Sequence, residues 1–334
     1  MIWIAATTEL SHIEGTRAMI TLKDIQKARD RLANYLTPTP LEDAPGLGDG
    51  VWLKLENANR THSFKVRGAL NAILSLDDAE RERGIVTASS GNHAQALAYA
   101  AKLAGVRALI LMPAHTPLRK VNGVRNRGAE VRLDYPTFDD AENGALALRD
   151  ELGMTYISAY NDARVIAGAG AIGLEIVDAL PDVARVVVPV SGGGLISGVA
   201  LAVKSLRPDV EVIGAGAISA PAMHNALFGT DLPQVWDTLA EALSGQIEAG
   251  SITVDLARRY VDRMVQVSEE QIITAMRWMA DVQGWIVEGG GAVGVAALLG
   301  DHIEADGRPM AVVVSGGNVD GSTLRDVLGA ESFP

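Results

Sequence analysis

The sequence predicts an α/β fold built on mostly parallel sheets flanked by helices. Two observations carry this. Short β-rich runs alternate with Ala- and Leu-rich helical runs along the chain, the pattern of parallel sheets covered by helices. Several of the strand-like runs are apolar without alternation, as strands buried on both faces are. With 334 residues the chain is long enough for roughly two domains.

The strands expected in order are 51–55, 85–88, 108–112, 130–133, 155–158, 186–190, 211–215, 264–267 and 311–314. The helices expected between them are 21–35, 66–75, 91–104, 117–127, 138–151, 169–180, 194–205, 219–228, 251–262, 268–282 and 291–300. Thr21 with Asp24 three residues later opens the first helix as a capping box. No repeat or Pro/Ser linker cuts the chain, so a second domain is expected as an insertion joined by two crossings, near 57–64 and 159–168. The expected division is an N-terminal extension (1–18), a large domain (19–83 plus 162–334) and a small mobile domain (84–161).

Composition narrows the function classes. The balance of 29 basic against 41 acidic residues, a net −12, argues against a nucleic-acid partner. The chain has no cysteine, which excludes disulfides, thiolate metal sites and a thiol nucleophile, and fits a cytoplasmic protein. No basic residue precedes the short apolar run at the N-terminus and Glu9 ends it, so it does not read as a signal peptide. The uncharged stretch 186–203 contains Pro189 and three adjacent glycines. It reads as strand, turn and helix rather than a membrane span. The six histidines show no metal-ligand spacing, and no metal is expected. Trp236, Trp278 and Trp285 are expected in the core or an interface.

Four segments carry chemistry. Lys65, in Ser63-Phe64-Lys65-Val66-Arg67-Gly68-Ala69, starts a helix. A positive charge there opposes the helix dipole, so this lysine is either solvated or has a lowered pKa suited to Schiff-base chemistry. Ser89-Ser90-Gly91-Asn92-His93 joins a strand to a helix N-terminus and is either a simple cap or an anion cradle fit for a carboxylate. Ser191-Gly192-Gly193-Gly194-Leu195 follows a buried strand and is either a tight turn or a phosphate loop, without the lysine of a nucleotide P-loop. Ser315-Gly316-Gly317-Asn318 puts a hydroxyl at a strand's carboxyl end, where open α/β sheets bind ligands. A fifth segment, Gly168-Ala169-Gly170-Ala171-Ile172-Gly173, matches GxGxxG literally but follows no strong strand. It supports a rival reading as a nucleotide-binding protein without enzymatic activity.

Together and in this order, SFKVRGA, SSGNH, SGGGL and SGGN resemble the fold-type II pyridoxal-phosphate (PLP) enzymes, specifically the threonine dehydratase/serine racemase family. The resemblance covers about residues 21–330 and implies a two-domain, tryptophan synthase β-like fold. It implies that Lys65 forms the imine with PLP, that Phe64 packs beside the ring, and that Asn92 bonds the 3′-oxygen. Ser89, Ser90, Gly91, Asn92 and His93 would cradle the substrate carboxylate. Ser191, Gly192, Gly193, Gly194 and Leu195 would hold the phosphate, and Ser315 would meet the pyridine nitrogen. A neutral serine there leaves the ring a weaker electron sink than an aspartate would, which favours prompt loss of a β-substituent. The implied reaction is β-elimination from a small β-hydroxy amino acid, threonine or serine, with Lys65 taking the α-proton. Ser90 matches the second-face acid/base of the racemases, so an amino-acid racemase is the alternative. A homodimer is implied by the same resemblance.

The chain also departs from the family. Asn59 and His62 stand where glutamine and glycine are common, and Ser191 replaces a glycine. The text after the strand near Ala215, 214–222, lacks the carboxylates of a cation site. Residues 241–262 and Glu288-Gly289-Gly290-Gly291 resemble a branch linked to hydroxyectoine utilisation, whose hydroxy amino acid is a further candidate substrate. The chain ends about 15 residues after SGGN, so no isoleucine-responsive regulatory domain is expected.

Overall fold

The computed structural model describes residues 2–3 and 20–329. Its strands are β1 (Ile2–Trp3), β2 (Leu41–Asp43), β3 (Val51–Leu55), β4 (Ile85–Ala88), β5 (Ala108–Pro113), β6 (Glu130–Tyr135), β7 (Thr155–Tyr156), β8 (Arg185–Pro189), β9 (Glu211–Ala217), β10 (Arg263–Val267) and β11 (Met310–Val314). They form a seven-stranded sheet in the order β1-β10-β9-β8-β11-β3-β2 and a four-stranded sheet in the order β6-β5-β4-β7. Both are parallel apart from the antiparallel edges β1 and β2 of the larger sheet. The expected extension 1–18 lies outside the described residues except for β1.

The central strands are buried along their length, as their unbroken apolar runs require: β8 and β11 have no exposed residue. The Leu22–Leu32 helix starts as expected, with the Asp24 carboxylate accepting from the Thr21 N–H at 3.0 Å and from its hydroxyl at 2.6 Å. The uncharged stretch 186–203 divides into β8, a glycine turn and the Gly194–Leu206 helix. Among the described residues no helix is long and apolar enough to cross a membrane.

One expectation fails informatively. Residues 159–168 read as loop, yet the Ala163–Ala179 helix begins at Ala163, capped by the Asp162 side chain, and GxGxxG lies wholly inside it. Its glycines permit close helix packing instead of a dinucleotide turn. A Cβ on Gly168 would lie 2.5 Å from the Arg67 carbonyl oxygen. One on Gly170 would lie 2.9 Å from the Gly198 carbonyl, and one on Gly173 2.8 Å from the Val199 carbonyl. The Lys65–Leu74 and Gly194–Leu206 helices therefore both sit at backbone contact with one central helix, which fixes the distance between them.

A buried ion cluster adds a second tie. Arg67 pairs with Glu56 at 2.8 Å and with Glu175 at 2.6 Å, while Lys54 meets Glu175 at 2.6 Å. Thr39 and Asn59 donate to Glu56 as well. Two cations balance two anions, and almost every lone pair has a donor, the condition under which burying charge is tolerable. Burial opposes ionisation of Arg67, but the carboxylates of Glu56 and Glu175 raise its pKa above the ordinary range. The cluster joins β3, the Lys65 helix and the central helix.

Candidate active site

Parallel strands put their carboxyl ends on one edge, and the loops leaving that edge make a ligand crevice. Here β3 leads through two 3₁₀ turns to Phe64 and Lys65, β8 to Ser191–Leu195, and β11 to Ser315. From the smaller sheet, β4 leads to Ser89–His93. All thirteen residues expected from the sequence line a single cavity of about 1280 Å³. The four segments are thus brought together, although they lie far apart in the chain.

Lys65 is the first residue of its helix. Its Nζ donates to the Ala159 carbonyl at 2.8 Å and lies 5.0 Å from the centroid of the Phe64 ring. Burial lowers its pKa to about 8, against the opposing pull of Glu288. Of the two readings left open for this lysine, its place at the helix start and its direction of shift accord with the one of lowered pKa.

The glycine turn after β8 is shaped by its neighbours. Gly193 has φ 88°, and a Cβ there would lie 2.4 Å from Met223 Cε. Gly192 and Gly194 press their Cα atoms against Tyr160, where a Cβ would lie 2.6 Å and 2.9 Å away respectively. Thr253 donates to the Gly192 carbonyl at 2.7 Å, and Ser191 to that of Leu243 at 2.8 Å. With carbonyls and Cα faces so engaged, the first-turn N–H groups of a thirteen-residue helix remain for an anion.

Asn92 begins the Asn92–Ala104 helix and bonds to both Glu288 and Asn318. His93 is buried, with Nε2 3.1 Å from the Ile157 carbonyl. Burial pushes its pKa down to about 3, so the imidazole is neutral and bonds as Nε2–H, leaving Nδ1 without a partner. Ser315 is buried, and its hydroxyl is 3.4 Å from the Gly290 carbonyl. Burial raises the Glu288 carboxyl to about 7, against the hydrogen bond from Asn92.

Some site residues were not assigned from the sequence. Tyr160, Thr253, Glu288 and the Ala159 carbonyl all line or brace the cavity. Asn318, the last letter of SGGN, and Glu288, at the head of a glycine run, carried a signal, while Ala159 acts through its backbone and carried none. Trp236, expected in the core or an interface, is 67% exposed, on a segment whose Trp236–Gln246 portion lines the cavity. After β9, Ser219 and Thr238 donate to Glu269. Among the described residues no three His, Asp or Glu side chains are grouped to hold a metal.

The residues fit pyridoxal phosphate: a half-buried amine of lowered pKa, a helix N-terminus with close-packed glycines, an amide and a neutral hydroxyl face one cavity. The comparisons agree. The family model described as "Pyridoxal-phosphate dependent enzyme" matches residues 32–316. The L-threonine ammonia-lyase of Thermotoga maritima is 44% identical over 316 residues, 93% of this chain and 78% of that protein. That of Geobacter sulfurreducens is 39% identical over 91% of this chain and 77% of its own length. Maize serine racemase superposes with a TM-score of 0.85 at 33% identity, covering 92% of this chain and 97% of that one. The processed form of threonine deaminase isoform 2 from Solanum lycopersicum gives 0.84 at 34% identity, covering 92% and 86%. With the family model spanning most of the sequence and relatives this similar over nearly all of it, the chain belongs to the pyridoxal-phosphate dependent enzymes.

Proposed function

We propose that the protein is a PLP-dependent ammonia-lyase that converts a small β-hydroxy amino acid, threonine or serine, to a 2-oxo acid and ammonia. The observation that carries this is the convergence of Lys65, the Ser191–Leu195 turn and the Ser89–His93 loop on one cavity. The threonine ammonia-lyases among its relatives support the choice of reaction.

Bound pyridoxal phosphate supplies delocalisation of the electrons released when the α C–H bond breaks. The chain supplies the rest. With a pKa near 8, the Lys65 amine is partly neutral close to neutral pH and can take the α-proton. The Ala159 carbonyl holds the resting amine in place. The N-terminus of the Asn92–Ala104 helix receives the substrate carboxylate. His93, neutral and fixed to Ile157, orients that loop and carries no proton in the reaction. Ser315, a neutral partner for the pyridine nitrogen, favours departure of the β-hydroxyl. One water is lost and one regained, so threonine gives 2-oxobutanoate and ammonium.

Residues 84–161 act as the small domain that closes over the substrate and excludes water. Two ion pairs, Arg119 with Asp320 and Lys120 with Glu241, span this closure. The same reading places the enzyme in the cytoplasm as a homodimer, the second tested by sedimentation.

The deciding experiment is a screen of β-hydroxy amino acids, both enantiomers of each, for 2-oxo acid formation by the PLP-loaded protein. L-Threonine or L-serine should turn over; no 2-oxo acid from any of them overturns the proposal. Racemisation is the second reading, supported by the Ser90 hydroxyl in the cavity and by the likeness to maize serine racemase. Chiral analysis of the remaining substrate separates the two.

A further inference from the structure

A side-chain amide has an acceptor end and a donor end of nearly the same shape, so its use in a site depends on which way round it is held. Asn92 is held by a chain of bonds whose polarity is set at a backbone group. The Thr61 carbonyl can only accept, and it accepts from Asn318 Nδ2 at 2.8 Å. Asn318 Nδ2 therefore also faces Asn92, where it donates to Oδ1 at 2.7 Å. That leaves Asn92 Nδ2 at the other end, where it donates to Glu288 Oε1 at 2.7 Å. An amide nitrogen has two hydrogens, so one remains for the cavity that Asn92 lines.

The backbone around this chain is built for it. Thr61 and His62 take φ 61° and 55°, values rare outside glycine. They are held there by Asn318 and by the Gly317 N–H, which donates to the His62 carbonyl at 2.9 Å. A Cβ on Gly316 would lie 2.1 Å from Glu288 Oε1, so glycine at that position makes room for the carboxylate. The SGGN segment thus supplies Ser315 to the cavity, space for Glu288 at Gly316, and a donor for Asn92 at Asn318.

We propose that Glu288 and Asn318 are positioning residues, locking the Asn92 amide so that a donor N–H, not its oxygen, faces the cofactor. This rests on the placement of PLP in this cavity. Glu288 acts as an acceptor for Asn92, so a glutamine, which keeps a carbonyl oxygen, should replace it, whereas an alanine should not. Asn318→Asp puts an acceptor against the Asn92 oxygen and should set the amide at odds with its neighbours.

The test is titration of the cofactor-free protein with PLP, followed by fluorescence, together with the pH dependence of the visible band of the loaded protein. Losing one hydrogen bond should weaken PLP binding roughly tenfold. Asn92→Ala, Glu288→Ala and Asn318→Asp should each do so and shift the band's pH profile, while Glu288→Gln stays within about twofold of wild type. In an Asn92→Ala background, Glu288→Ala should weaken PLP binding no further, while the band's pH profile still moves with the loss of the Glu288 charge beside Lys65. Thermal melts of the cofactor-free variants, read beside Asn318→Ala, separate a loss of fold from a loss of positioning. A full Glu288→Ala effect on PLP affinity without Asn92, or a Glu288→Gln protein as weak as Glu288→Ala, overturns the proposal. Unchanged affinity in Asn92→Ala overturns the placement of the cofactor itself, and the proposal with it.

Discussion

The amine of Lys65 donates to the carbonyl of Ala159, 2.8 Å away, and so rests on the segment that returns from the smaller sheet to the larger one. A single neutral acceptor does not replace the hydration that an ammonium loses on burial. The lowered pKa, about 8, follows.

Only the neutral amine attacks an aldehyde. Covalent capture of PLP should therefore quicken as pH rises through about 8, where an ordinary lysine would need a pH near 10.5. Stopped-flow absorbance on the cofactor-free protein measures this. A capture rate flat from pH 7 to 9, or a borohydride-stable adduct at the native site of Lys65→Ala, contradicts the assignment.

Glu288 gives a pH signature of opposite sign. Its folded pKa, about 7, lies above the ordinary 4.5, chiefly because burial disfavours the anion. Between these values the folded chain keeps a proton that the unfolded chain has lost, so the group's contribution to stability falls as pH rises through that window. Glu288→Gln removes the charge. It should raise the melting temperature of the cofactor-free protein at pH 8 and leave it nearly unchanged at pH 4.5. An equal shift at both values would show that the ionised form carries no penalty.

Nine of the eleven described strands and the four loops were legible because each has a local cause; the short antiparallel edges β1 and β2 were not expected. β11 reads as an apolar run, Gly193 as a turn that needs φ 88°, and Lys65 as a charge misplaced at a helix start. Features made by tertiary contact were not legible. Gly168, Gly170 and Gly173 spell a nucleotide motif, yet their spacing serves two helices that arrive from residues 65–74 and 194–206. The start of that helix was missed although it carries a local signal, the Asp162 side chain that accepts from the Arg164 N–H as an N-cap. Glu288 and Asn92 are 196 residues apart, and nothing local in either segment announces the bond between them.

Packing by these glycines can be tested at Gly198, opposite Gly170. A Cβ there would lie 2.3 Å from the Ile166 carbonyl oxygen, a backbone atom that cannot swing aside. Gly198→Ala should lose about 1–3 kcal/mol, the range for overpacking a tight core. Urea denaturation reads the loss directly. Wild-type protein should show no thermal shift with NAD, in contrast to a dinucleotide-binding turn. An undiminished Gly198→Ala stability would mean that the two helices are not locked at backbone distance.

On the proposed reading, the Ser90 hydroxyl is the group that would separate elimination from racemisation. Elimination needs a base on one face of the substrate, the role proposed for Lys65. Racemisation needs a second proton-transfer group on the opposite face, and the site offers few. His93 cannot serve: its neutral ring is buried, with Nε2 spent on Ile157 and its pKa pushed to about 3. Ser90 lines the same cavity and can exchange a proton through its hydroxyl. Ser90→Ala should therefore retain 2-oxo acid formation within about tenfold, since the α-proton still leaves to Lys65. It should abolish inversion, measured by chiral chromatography alongside solvent deuterium incorporation into the recovered substrate. Inversion undiminished in Ser90→Ala would assign the second face to another group, and loss of both reactions together would give Ser90 a share in binding the carboxylate that elimination also requires.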